Sequence, residues 1–177
     1  NYNVEPDIIT LAKGMGSGLP LGACIAQKEL MDQWHAGAHG GTYGGNPLTC
    51  AAGVATLEVL EKNVDKVQKL GGKAITFLEE KLADNPLIGD IRGAGLMIGI
   101  EFVKNKETKE LFSEDLDIGK WVSNQADSRG LIVRPIINLN VMSPPLIIDR
   151  TQVDFIVATL RDSILACIKD LQKEGHF

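Results

Sequence analysis

Little positive charge, few cysteines and no long apolar run mark this 177-residue sequence, and each shortage removes a class of function. Its 18 lysines and arginines against 23 aspartates and glutamates leave a net charge of −5, and no long basic cluster offsets that balance. Contacts with nucleic-acid phosphates or an anionic membrane need local positive charge, so neither partner is expected. No apolar stretch approaches the roughly 20 residues that cross a bilayer as a helix. The three cysteines, Cys24, Cys50 and Cys167, are odd in number and sit among small or apolar neighbours. That argues against a disulfide framework and predicts buried thiols in a reducing compartment. Without a signal-peptide pattern the expectation is a cytoplasmic protein, or an organelle-matrix protein lacking its targeting segment. Internal repeats and low-complexity segments are missing too.

The distribution of what is there is uneven. Residues 1–57 hold 10 of the 19 glycines but only six acidic or basic side chains: Glu5, Asp7, Lys13, Lys28, Glu29 and Asp32. A Gly-rich stretch with so little charge is expected to be buried in a larger body. Within it, Ile8 to Ala12 and Leu21 to Ala26 read as buried strands, and Glu29 to Trp34 as a short helix. A loop with five glycines between Gly37 and Gly45 leads to Asn46-Pro47, an N-cap and first-turn proline for a helix reaching about Glu61. Residues 58–63 read as its connecting end.

Residues 64–177 carry ordinary charge and read as a self-contained α+β unit. Val67, Leu70, Ala74, Phe77, Leu78 and Leu82 recur at helical spacing. Ile88 to Phe102 reads as strands hinged at glycines, and Lys104 to Asp117 as a polar surface insertion. A helix over Ile118 to Ser128 is stopped by Gly130, and short strands at Leu131 to Arg134 and Leu139 to Met142 follow. Thr151 with Asp154 resembles a capping box opening the last helix, to about Lys173.

Lys13 needs explaining. It ends an apolar strand, is followed by Gly14, Gly16 and Gly18, and has no acid nearer than Asp7. A desolvated lysine loses basicity and becomes a nucleophile of the Schiff-base kind; a strand-end lysine that reaches solvent is the other reading, and spacing leaves both open. A Walker loop places its glycines before the lysine, and a dinucleotide fingerprint wants a third glycine where Leu19 stands, so both nucleotide motifs fail. His39 to Pro47 is a second glycine loop ending at a helix start, where N–H groups and the dipole favour an anion and Thr42 adds a hydroxyl. His35 and His39 straddle Gly37 with no carboxylate or cysteine shell, so no metal is expected. Arg134, beside Leu131-Ile132-Val133 and ahead of the apolar Val141 to Leu146, suits a bidentate carboxylate clamp, although pairing with a surface acid would equally account for it.

Taken together the segments are specific. Pro6-Asp7-Ile8-Ile9-Thr10-Leu11-Ala12-Lys13-Gly14, Leu19-Pro20-Leu21-Gly22-Ala23, His39 through Leu48, Ile91 through Met97, and Gly130 through Pro135 resemble class III aminotransferases, the ω-aminotransferase group. The resemblance implies an α/β pyridoxal-phosphate transferase of fold type I. Residues 1–57 would be the tail of its large cofactor-binding domain, and residues 64–177 its small C-terminal α+β domain. It implies that Lys13 holds pyridoxal 5'-phosphate as a Schiff base and moves a proton. Gly41 and Thr42 would reach the cofactor phosphate of the neighbouring subunit, which requires a homodimer. Acetylornithine and 4-aminobutyrate members carry a carboxylate-binding arginine at the position of Val141, whereas this sequence has Arg134, as amine:pyruvate members do. The implied reaction moves an amino group from an amine or ω-amino acid to a keto acid such as pyruvate. Family members are much longer, so the sequence is expected to be their C-terminal portion, with little cofactor binding alone. Two other readings keep the fold without the reaction: a ligand-binding protein and a dimerisation module. Aminomutase members share the lysine motif.

Overall fold

The computed structural model describes residues 3–82 and 84–176. The chain folds as two compact units, Asn1–Lys62 and Asn63–Phe177.

In the first unit, β1 (Ile8–Leu11) pairs antiparallel with β2 (Ala23–Ala26), Ile8 opposite Ala26 and Leu11 opposite Ala23. A 3-10 turn, Lys13–Gly16, follows β1 directly. The short helix α1 spans Lys28–Met31, less than the sequence predicts, and the long helix α2 spans Pro47–Glu61. The start of α2 is fixed locally, as expected. The Asn46 side chain accepts from the backbone N–H of Leu48 and Thr49, and Pro47 occupies the first turn, where its missing N–H costs nothing. The strands differ from expectation. All four β1 residues are exposed, and Ile8, Ile9, Leu11 and Ile25 present apolar surface. Alternation and β-branching specify a strand, but a two-stranded sheet has no layer of its own to cover it. Cys24 and Cys50 are likewise exposed, contrary to the buried thiols expected; only Cys167 is buried.

The second unit has two layers. Its strands β3 (Ile88–Ala94), β4 (Met97–Phe102), β5 (Arg134–Ile136) and β6 (Leu139–Met142) form an antiparallel sheet in the order β3-β4-β6-β5. Ile98, Ile100 and Phe102 alternate onto one face, where they are fully or nearly fully buried. They share a core with Leu78 and Leu82 of α3 (Val64–Leu82), Val122 of α4 (Ile118–Asp127), and Leu160, Ile164 and Leu171 of α5 (Arg150–Glu174). Each such side chain contributes about 1.5–3 kcal/mol when fully buried. The other face carries Asp90, Arg92 and Glu101. Asp90 lies directly opposite Glu101, and Arg92 donates to both carboxylates, at 2.8 and 2.6 Å. Those acids raise the already high pKa of the arginine.

Three expectations shift here. Arg134 opens β5 rather than closing a strand from Leu131, because Pro135 and Ile136 continue the pairing with β6. The glycine hinge between β3 and β4 is a hairpin turn with Gly95 at φ 56°. The capping box of α5 is built by Asp149 and Gln152, not Thr151 and Asp154: Gln152 N–H donates to the Asp149 carboxylate, and Asp149 N–H to Gln152 Oε1. The helix starts two residues earlier because this pair satisfies two orphan donors at once.

Candidate active site

Lys13 sits where β1 ends. Ala12 is fully extended, with φ −159° and ψ −165°, and Lys13 turns the chain at φ 54°. For a residue with a Cβ the left-handed region costs about 1–2 kcal/mol, and such residues gather at functional sites. The 3-10 turn is closed by Met15 N–H to Ala12 O and Ser17 N–H to Gly14 O, at 3.2 and 3.1 Å. Its one buried residue is Gly16. Lys13 itself is exposed, so the desolvation predicted from the apolar strand is not supplied by the residues around it. Among the described residues no acid pairs with it.

The second glycine loop ends in two tight turns, Gly44 N–H to Gly41 O and Asn46 N–H to Tyr43 O, each 3.2 Å. Because the Asn46 side chain already takes the first free N–H groups of α2, anion donors have to come from the loop ahead of it, where Thr42 and its hydroxyl stand exposed. No hydrogen bond joins Gly41 or Thr42 to Lys13 among the described residues. The lysine-bearing turn packs on α2, the helix that this loop opens. Trp34 and His39 have ring centroids 6.1 Å apart, and among the described residues no three His, Cys, Asp or Glu side chains gather as metal ligands.

Arg134 belongs to the second unit. It lines a groove of about 420 Å³ whose walls include Val133, Val141, Met142, Pro144 and Ile156. The apolar walls match expectation, but the side chain is exposed and is not paired with an acid among the described residues. Across the ladder its partner is Val141. Sequence reasoning did not identify Leu21, which lies against both Gly16 of the Lys13 turn and Gly53 of α2. The signal available was Gly53, a glycine inside the helix that follows Asn46-Pro47.

Residues 1–164 match the family described as aminotransferase class-III. An uncharacterised aminotransferase of Sinorhizobium fredii is 36% identical over 99% of this chain and 40% of its own length. The putrescine–pyruvate aminotransferase of Pseudomonas aeruginosa is 34% identical over 90% of this chain and 36% of its own. Among solved structures, an (S)-enantioselective omega-transaminase from Thermomicrobium roseum superposes with a TM-score of 0.86 at 33% identity, covering 94% of this chain and 38% of that one. Fold and sequence together thus define a mixed α/β protein built like pyridoxal-phosphate-dependent aminotransferases. The chain belongs to the class-III aminotransferase family. It spans about two fifths of the length of these relatives.

The residues present fit the family's cofactor. Lys13 offers a primary amine that no acid pairs with among the described residues, held by a strained turn, and the loop before α2 offers a hydroxyl and backbone donors of the kind a phosphate takes. Among the described residues no helix is long and apolar enough to cross a membrane.

Proposed function

We propose that this chain is the lysine- and arginine-bearing portion of a transaminase that moves an amino group from an amine or ω-amino acid to an α-keto acid such as pyruvate. The observation that carries the proposal is Lys13: an amine unpaired among the described residues, at a left-handed turn, within a chain that matches class-III aminotransferases over residues 1–164. The names of two relatives, a putrescine–pyruvate aminotransferase and an omega-transaminase, support amines as donors and the first supports pyruvate as acceptor. Residues 1–57 are then the end of the large domain and residues 64–177 the small one. That arrangement would account for the apolar side chains of β1 and β2 that stay exposed among the described residues.

When bound, pyridoxal phosphate supplies an electron sink for the pair left on the substrate carbon. Lys13 Nζ would hold the cofactor and, when free, would be the base that accepts the proton from the substrate carbon. Gly41 and Thr42 bind the cofactor phosphate of a neighbouring subunit, which makes the active form a homodimer. Arg134 clamps the keto-acid carboxylate through two parallel N–H donors and turns aside for an amine that has none.

Incubating the catalytically competent protein with pyridoxal phosphate, reducing with borohydride and mapping the labelled peptide tests the lysine. Label concentrated on Lys13 and lost in K13A is expected there, whereas the 177-residue chain alone is expected to take up little label and show no measurable turnover. Label spread evenly over surface lysines of the competent protein would overturn the assignment.

A further inference from the structure

The turn that carries Lys13 has little to hold it in place by itself. Its hydrogen bonds are local, it closes in four residues, and two non-glycine residues at its ends, Lys13 and Ser17, occupy the left-handed region at φ 54° and 47°. Left alone, a segment of this kind relaxes, because a lysine gains by leaving φ > 0. Something outside the turn must over-determine it.

One side chain from the next strand connection is placed to do so. A Cβ placed on Gly16, the buried residue of the turn, would stand 3.1 Å from Leu21 Cβ and 3.5 Å from Leu21 N. A Cβ on Gly53, one turn into α2 from the buried Thr49, would overlap Leu21 Cδ2. Leu21 therefore fills a slot that exists because both neighbours are glycine, and it joins the turn to the helix. A Cβ on Gly53 would also lie 3.8 Å from Met15 O, so helix and turn approach closely at the same place.

We infer that Leu21, seated between Gly16 and Gly53, is a positioning residue that holds Lys13 in its left-handed conformation and so aims the lysine amine. The inference rests on the proposed role of Lys13 for its functional consequence, but the geometry it predicts is independent of that role. Leu21 touches no reacting atom. Its effect passes through Gly16 to the turn and from the turn to the lysine, while α2 serves as the fixed wall.

The test uses two readouts on wild type, L21A, L21M and G53V. The first, on the full 177-residue chain, is the Lys13 backbone φ, from its three-bond HN–Hα coupling and Cα and Cβ chemical shifts, with no cofactor added. The second, on the catalytically competent protein rather than this chain alone, is the rate at which pyridoxal phosphate and borohydride label Lys13, relative to Lys28. In L21A, Lys13 is expected to leave the left-handed region and its relative labelling to fall by about tenfold, within what a misplaced reacting group costs. L21M, which refills the slot, restores both. G53V keeps Leu21 but displaces it, and behaves like L21A, which covers the case in which L21A loses the fold of the first unit. Wild-type φ and labelling in both L21A and G53V would overturn the inference. A wild-type Lys13 that labels no faster than Lys28 would count against the proposed function, and the φ measurement would still decide whether Leu21 positions the turn.

Discussion

Arg134 and Val141 stand directly opposite each other across the β5–β6 ladder. Partners in an antiparallel pair share a face and lie close enough for their side chains to occupy the same space. An arginine at either position would therefore present its guanidinium to the same groove. R134A is expected to raise KM for pyruvate far more than for a simple amine, by about ten- to hundredfold if one charge-assisted contact of about 1.5–3 kcal/mol is lost. The double exchange R134V/V141R is expected to recover much of it. Steady-state kinetics of the catalytically competent protein check both, and equal effects on keto acid and amine would refute the clamp.

Gly71 lies in α3, and a Cβ there would run into the backbone of Gly95, the left-handed turn residue between β3 and β4. Helix propensity alone favours alanine over glycine by about 1 kcal/mol. Overlap with backbone cannot be relieved by a rotamer change and costs about 1–3 kcal/mol or more, which cancels or exceeds that gain. G71A should lower the urea midpoint of the second unit, followed by Trp121 fluorescence in a W34F background. A raised midpoint would show that the hairpin yields.

The cap of α5 makes a paired prediction. D149A removes the carboxylate that accepts from Gln152 N–H and should cost about 1 kcal/mol. T151A, at the position where sequence pattern alone puts the cap, should change stability by less than about 0.5 kcal/mol. Urea titration of the two variants under one set of conditions separates them.

Burial, and to a lesser extent the nearby Asp170 charge, pushes the Cys167 thiol up to about 12 from an ordinary 9.0. A group whose folded pKa is raised stabilises the fold fully below its unfolded value, and that contribution is lost as pH climbs toward the folded one. Stability should therefore decline from about pH 9 toward 12, and C167A should flatten part of that decline. In the native chain Ellman's reagent should modify the exposed Cys24 and Cys50 and reach Cys167 only on unfolding. Rapid native modification of all three would contradict the burial.

Much of the fold was legible in the sequence wherever the determining chemistry was local. Asn46-Pro47 starts α2 as expected because the cap and the helix it serves are neighbours in the chain. The helical spacing from Val67 to Leu82 yields α3, and the glycines after Ile91 yield a hairpin. The capping box of α5 was misjudged because Thr151-Asp154 and Asp149-Gln152 are both chemically eligible, and only the path of the chain into the helix chooses. The burial of β1 and of Cys24 was misjudged for a different reason: an apolar strand states that it needs a cover, not that one is at hand.

For the candidate site the division is similar. The sequence by itself determined the family, through motifs along nearly its whole length, and it singled out Lys13, Thr42 and Arg134 by residue type and neighbours. The tertiary structure decided what those positions look like. It put Lys13 in a left-handed turn pinned by Leu21 between two glycines, and it set Arg134 opposite Val141 in one groove. Motifs record which groups the chemistry requires. Register, close approach and backbone conformation depend on residues distant in the chain that meet only when it folds.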